Sequence, residues 1–166
     1  MPISLTTGGA TLSEASEPYT HERARSRYLL TKPRALPIVA GLAMARAFWP
    51  RPIREVRRFT AGATLTVPGS PLVVPTPGHT IGHCALHFPD RDTVLAGDAV
   101  VTLDPYTGKK GPRLVARAAT ADGERALDSL GALAETGAGT VLTGHGEAWH
   151  GGAEEAARQA RAIGLT

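Results

Sequence analysis

Three short segments constrain the fold of this chain more than any other feature. Each closes an apolar run with glycine and sets a histidine or an aspartate beside it. Pro75-Thr76-Pro77-Gly78-His79-Thr80-Ile81-Gly82-His83 closes the run Leu72–Thr76, Gly97-Asp98-Ala99 closes Thr93–Ala96, and Thr143-Gly144-His145-Gly146-Glu147 closes Thr140–Thr143. Runs this short, rich in β-branched residues and bounded by glycine and proline, read as strands. A strand that stops at such a turn leaves the next side chain off the edge of the sheet with little freedom to move. The chain is therefore expected to form a sheet in which three neighbouring strands end together and collect His79, Asp98 and His145.

The remaining pattern supplies the rest of that sheet and its cover. Ile53–Phe59, Ala63–Val67 and Leu72–Thr76 read as antiparallel strands punctuated by Gly62 and Pro68-Gly69. Cys84–Phe88 and Thr93–Ala96 form the next pair across the turn Pro89-Asp90-Arg91-Asp92. Residues 104–119, interrupted by Pro105, Gly108, Gly111 and Pro112, read as a loop. A helix is predicted from Asp122 to Glu135, with Ala126, Leu127, Leu130 and Leu133 on one face and Thr120 or Asp122 as its cap. A second helix follows at Glu154–Ile163.

Upstream, residues 3–6 read as a short strand, and Glu17–Leu30 and Ala35–Trp49 as helices. The second of these rests on Ile38, Leu42, Ala45 and Trp49 at helical spacing and stops at Pro50. The whole is an α+β chain organised as one domain, a helical connecting region over 1–52 and a sheet with two helices over 53–166. Helices on one face only leave the other face of the sheet apolar and bare, which opens a route to self-association.

With 166 residues the chain has room for one domain with a core. It is 42% apolar and 20% charged, as soluble globular domains are. No run approaches the roughly 18 apolar residues of a membrane span, so no membrane partner is expected. Met1 to Ser13 lacks the basic start and apolar stretch of a secretory signal, and the lone Cys84 cannot form an internal disulfide. Both point to the cytoplasm. Between His21 and Phe59 ten Lys and Arg face only Glu22 and Glu55, a formal charge of +8. No aromatic platform is interleaved with these charges, so the segment reads as a solvated helical surface and nucleic acid is a disfavoured partner.

Imidazole nitrogen and carboxylate oxygen are suitable zinc ligands, and equally suit manganese and iron. The long intervals from 79 to 98 and from 98 to 145 match no zinc-finger spacing, so a site made of these residues would be built by the fold. Taken singly, each is as well explained as a turn or cap residue; it is the set, in order at strand ends, that points to metal. His21 and His150 have no motif around them and read as surface residues. Cys84 follows His83, so on a strand it points to the opposite face with Leu86 and Phe88. It is expected in the core, which disfavours a Cys–His nucleophile pair.

In this order the three motifs resemble the downstream half of the metallo-β-lactamase-fold hydrolases. The resemblance is strong over about residues 54–150 and weak over the first fifty. It implies an αββα sandwich of which this chain supplies roughly the second half. It implies metal ligation by His79, Asp98 and His145, with Asp98 as the bridging, catalytic carboxylate and His83 as a supporting residue outside the ligand set. It also implies one or two zinc ions and a small-molecule substrate with an ester, thioester or lactone type bond cleaved by metal-activated water. The family's upstream HxHxDH motif has no counterpart in this chain. Three ligands can hold one zinc with an open position, but affinity falls when a ligand set is incomplete. Either a start further upstream or a decayed gene is expected in preference to a half-domain that pairs to close its sandwich.

Three functions stay open at this point. The first is a metal-dependent hydrolase closest to the thioesterase-like and lactonase-like members. Tyr106, Lys109, Lys110 and Arg113 would either contact a substrate carboxylate or phosphate or form a plain solvent loop. The second is a non-catalytic remnant or interaction module. The third is a nucleic-acid-processing member, motivated by the basic segment.

Overall fold

The apolar runs between residues 72 and 143 pair as their composition demands. β1 (Leu72–Pro75), β2 (Cys84–Phe88) and β3 (Thr93–Gly97) form an antiparallel meander, with a single 3-10 turn, Pro89–Arg91, between β2 and β3. β4 (Val101–Leu103) and β5 (Lys110–Arg113) make a separate hairpin, and β6 (Thr140–Thr143) returns to lie parallel to β3. The sheet order is β1-β2-β3-β6. The computed structural model describes residues 59–166 together with Met44. The strand expected at 3–6, the helix at Glu17–Leu30, all of Ala35–Trp49 but Met44, and Ile53 to Arg58 lie outside the described residues, as does His21.

Two helices cover one face of the sheet. α1 (Gly123–Ala134) starts where Asp122 caps it, its carboxylate accepting from the Arg125 amide at 3.0 Å. α2 (Ala153–Ile163) turns an alanine stripe inward: Ala153, Ala156, Ala157 and Ala160 are all buried. Ala126, Leu130 and Leu133 of α1 meet this stripe and the sheet residues Ala85, Val94, Ala96 and Val141 in one cluster. Short side chains on α2 let its backbone approach closely, so the leucines of α1 carry most of the filling volume.

The other sheet face, expected to be bare, is only partly open among the described residues. Leu95 and Leu142, register partners across β3 and β6, are 38% and 37% exposed. On the β1 side this face is covered: Leu65 and Val73 are buried but stand apart from the helix-facing cluster, and the Phe88 ring lies against Gly69. Cys84 shares the Leu86 face, as expected, but that face is not the helix-covered core. Ala85 is the fully buried residue of β2, and Cys84 is only half-buried.

Two further expectations change. Ala63–Val67 is not a strand; only Thr64 bridges to Leu72. Pro68 and Pro71 remove amide donors that a hairpin ladder there would need. Residues 104–119 are not a plain loop, since β5 lies within them and pairs Arg113 with Val101 and Lys110 with Leu103. Pro112 is accommodated because the two-stranded hairpin leaves it at an edge. The pairing of β6 with β3 is parallel, and a parallel connection requires the long crossover that the β4–β5 hairpin and α1 supply. Among the described residues no helix is long and apolar enough to cross a membrane.

Candidate metal centre

Strand direction gathers the three motifs. β1, β3 and β6 run the same way, so their C-terminal ends lie at one edge of the sheet; β2 runs against them and begins at that edge. β1 and β3 are therefore not neighbours, as the sequence suggested. The start of β2 separates them, and the residue standing there is His83.

His79 sits in a turn held by α1 and the residues before it. Three successive carbonyls each receive a donor: Pro77 O from the Ser129 hydroxyl at 2.6 Å, Gly78 O from the Asp122 amide at 3.0 Å, and His79 O from the Ala121 amide at 3.1 Å. Gly78 has φ +141, and a Cβ there would run into the backbone of Ala126, so no other residue fits. Asp98 follows an irregularity in the β3–β6 register between Leu95 and Gly97, a device that re-aims the end of a strand. Its amide donates to His83 Nε2 at 3.3 Å. Because Nε2 accepts, the His83 proton resides on Nδ1, which donates to the buried Thr76 hydroxyl at 2.8 Å. His83 thus ties β1 to Asp98.

His145 follows Gly144, whose amide donates to Gly97 O at 2.8 Å. The His145 carbonyl accepts from the amides of Thr102 and Leu103 at 3.0 and 3.2 Å. The side chains meet in a row: His79 Nε2 lies 3.3 Å from Asp98 Oδ2, and His145 Nε2 lies 3.6 Å from Asp98 Oδ1. Their side chains are 20%, 25% and 48% exposed for His79, Asp98 and His145, so the row opens to solvent at His145. Burial pushes the His79 pKa below the ordinary histidine range; Asp98 opposes this and His145 reinforces it. The His83 pKa is lowered too, by burial first and then by His79, with Asp98 again opposing. Both imidazoles are therefore neutral near pH 7, the form that can offer a lone pair.

Donor types and spacings fit a divalent metal. Ligand bonds of about 2.0–2.2 Å in a tetrahedral shell put neighbouring donors about 3.4 Å apart, close to both distances in the row. Asp98 Oδ1 is buried without a hydrogen-bond partner, as is His79 Nδ1. An unpaired buried carboxylate oxygen is costly and suits a cation. Each carboxylate oxygen faces a different imidazole, however, and among the described residues no three His, Cys, Asp or Glu close around one point. The donors present leave any shell open.

The model of the metallo-beta-lactamase superfamily matches residues 10–145. The chain belongs to this superfamily. The match reaches further upstream than the motif resemblance and takes in the whole basic segment. A metallo-beta-lactamase family protein from Thermus thermophilus superposes with a TM-score of 0.51 at 23% identity, over 87% of this chain and 50% of that one. A beta-lactamase domain protein from Burkholderia ambifaria gives 0.50 at 25% identity, over 68% and 33%. A hydroxyacylglutathione hydrolase from Hyphomonas neptunium is 46% identical over 48 residues, 28% of this chain and 19% of that one. The chain thus spans half or less of the length of each of these proteins. Its described residues form a four-stranded sheet with its helical layer and a separate two-stranded hairpin, part of the superfamily's fold.

The supporting residues Thr102 and Ser129 have no role that the sequence assigns, and Thr76 stood out only as part of its motif. Ser129 alone carried a signal, a hydroxyl three residues after Ala126 on the buried face of a helix. Of the residues raised as substrate contacts, Arg113 is buried and spends its guanidinium on the Gly111 and Lys110 carbonyls. Lys109 and Lys110 are exposed.

Proposed function

We propose that this chain carries the downstream part of a metal-dependent hydrolase site, with His79, Asp98 and His145 facing zinc, and that the bond cleaved is a thioester. The observation that carries this reading is the Asp98 carboxylate standing between two imidazoles with one oxygen unpaired. The similarity to a hydroxyacylglutathione hydrolase over 48 residues supports the thioester over the ester or lactone.

His79, Asp98 and His145 would hold a divalent metal, which would supply a bound water of pKa about 7 and a Lewis acid for the carbonyl under attack. The residues of this chain supply position and charge. Neutral His79 offers Nε2 from a turn fixed at three carbonyls. Asp98 brings the negative charge, and its backbone is held by His83. His145 stands at the open side, where a substrate enters. The cytoplasm is the compartment this chemistry is proposed to serve.

The absence of HxHxDH favours a second reading, a non-catalytic member that keeps the sheet and loses turnover. One experiment separates them. Zinc, manganese and iron per chain are measured on gel-filtered protein beside His79→Ala/Asp98→Ala, and hydrolysis of a hydroxyacylglutathione thioester is assayed on the same samples. About one metal per chain, lost with turnover in the double variant, supports the hydrolase. Bound metal without turnover, or no metal at all, supports the second reading.

A further inference from the structure

We propose that Thr102 is a positioning residue for His145, and that its hydroxyl sets where that imidazole stands. The proposal rests on the metal reading above for its consequence, though not for its geometry. The His145 side chain is 48% exposed, and its polar neighbour among the described residues, Asp98 Oδ1, lies beyond hydrogen-bond distance at 3.6 Å. A ring so lightly held takes its position from the backbone that carries it. That backbone is a Gly-His-Gly-Glu turn, which has little stiffness of its own.

Thr102 stiffens the turn from β4. Its hydroxyl donates to Glu147 O at 2.6 Å and stands 3.3 Å from both His145 O and Thr143 Oγ1. Its amide and that of Leu103 donate to His145 O, which also accepts from the Thr143 hydroxyl at 3.0 Å. Gly146 has φ +95, and a Cβ there would collide with Thr102 Oγ1, so the turn lies directly on this side chain. The amides are backbone donors that no substitution at 102 removes, but their bonds last only as long as the turn stays in place. The bond to Glu147 O is the one that depends on residue 102, and it holds the far side of the turn. Thr102 is buried, so water does not readily replace its hydroxyl.

Thr102→Val keeps the shape and removes the donor, whereas Thr102→Ser keeps the donor. Two readouts are taken on each: hydrogen exchange of the Leu103 amide, which reports the bond to His145 O, and zinc affinity by competition with a chelating dye. In Thr102→Val the Leu103 amide is expected to exchange about 10-fold faster while amides between β2 and β3 are unchanged. Zinc is expected to bind about 10-fold more weakly. Thr102→Ser stays within about 2-fold of wild type on both. Should the valine variant not fold, Thr102→Ala, which also lacks the donor and adds no metal-binding group, carries the same expectation. Unchanged Leu103 exchange in the valine variant overturns the proposal. So does a serine variant that loses as much as the valine one. A wild type that binds no zinc overturns the metal chemistry alone, and the exchange result then decides the positioning.

Discussion

Gly144 matters for what it lacks. A Cβ at this position would run into Asp98 Oδ1, and the residue cannot retreat because its amide is bonded to Gly97 O. Gly144→Ala is expected to fold, since no core residue is touched, and to lose about 10-fold or more in zinc affinity as the carboxylate is displaced. A zinc titration beside a thermal melt checks both halves. His83 gives a second prediction at this scale. Its hydrogen bonds require the Nδ1–H tautomer, which imidazole nitrogen shifts will report directly. Its folded pKa is depressed, so the unfolded chain binds the proton more readily than the native one. His83 thus contributes stability that is complete above its ordinary 6.5 and is lost as pH falls below it. His83→Gln should flatten the fall in melting temperature between pH 7 and 5; an unchanged slope would place the titration elsewhere. His79, Asp98 and His145 could be found in the sequence because glycine and an apolar run flank each one. Thr102 and Ser129 act on atoms far along the chain, as Ser129 does on Pro77 O, and no local pattern records that.

α1 does two jobs on two adjacent positions. Leu130 fills the core, and Ser129 reaches out to Pro77 O while also bonding Arg125 O one turn back. Ser129→Ala leaves a half-buried carbonyl without its donor and is expected to cost about 1 kcal/mol. The loss should be read by denaturant unfolding and should come with faster amide exchange at Ala121 and Asp122, whose bonds clamp the same turn. Stability loss without that local change would make Ser129 an ordinary core residue. Elements with strong periodicity were legible in advance: α1, β2, β3 and β6 fall within a residue or so of their expected bounds. The failures have a common cause. Just after 63–67 two prolines remove the donors of a ladder that composition alone suggested, and at 110–113 a pairing partner, β4, makes a strand where glycine and proline argued for a loop. Strand formation depends on the partner as much as on the segment, and sequence runs show only the segment.

Across the whole molecule, site and core occupy different parts of the same sheet. His79, Asp98 and His145 hang off the end where β1, β3 and β6 stop, while the cluster of Leu130, Leu133, Val94 and Val141 lies between the sheet and both helices. The turns that carry His79 and His145 are fixed by hydrogen bonds, to α1 in one case and to β4 in the other, and not by core side chains. This arrangement predicts that stability and metal affinity can be separated. Leu130 is fully buried, so Leu130→Ala removes contacts on every side and should cost about 2–5 kcal/mol. Zinc affinity, measured well below the lowered melting temperature, should stay within about 2-fold of wild type, in contrast to Gly144→Ala, where affinity falls and stability holds. If both variants instead lose affinity in step with stability, the edge and the core form one cooperative unit, and the clamps at Pro77 and Glu147 have no separate role.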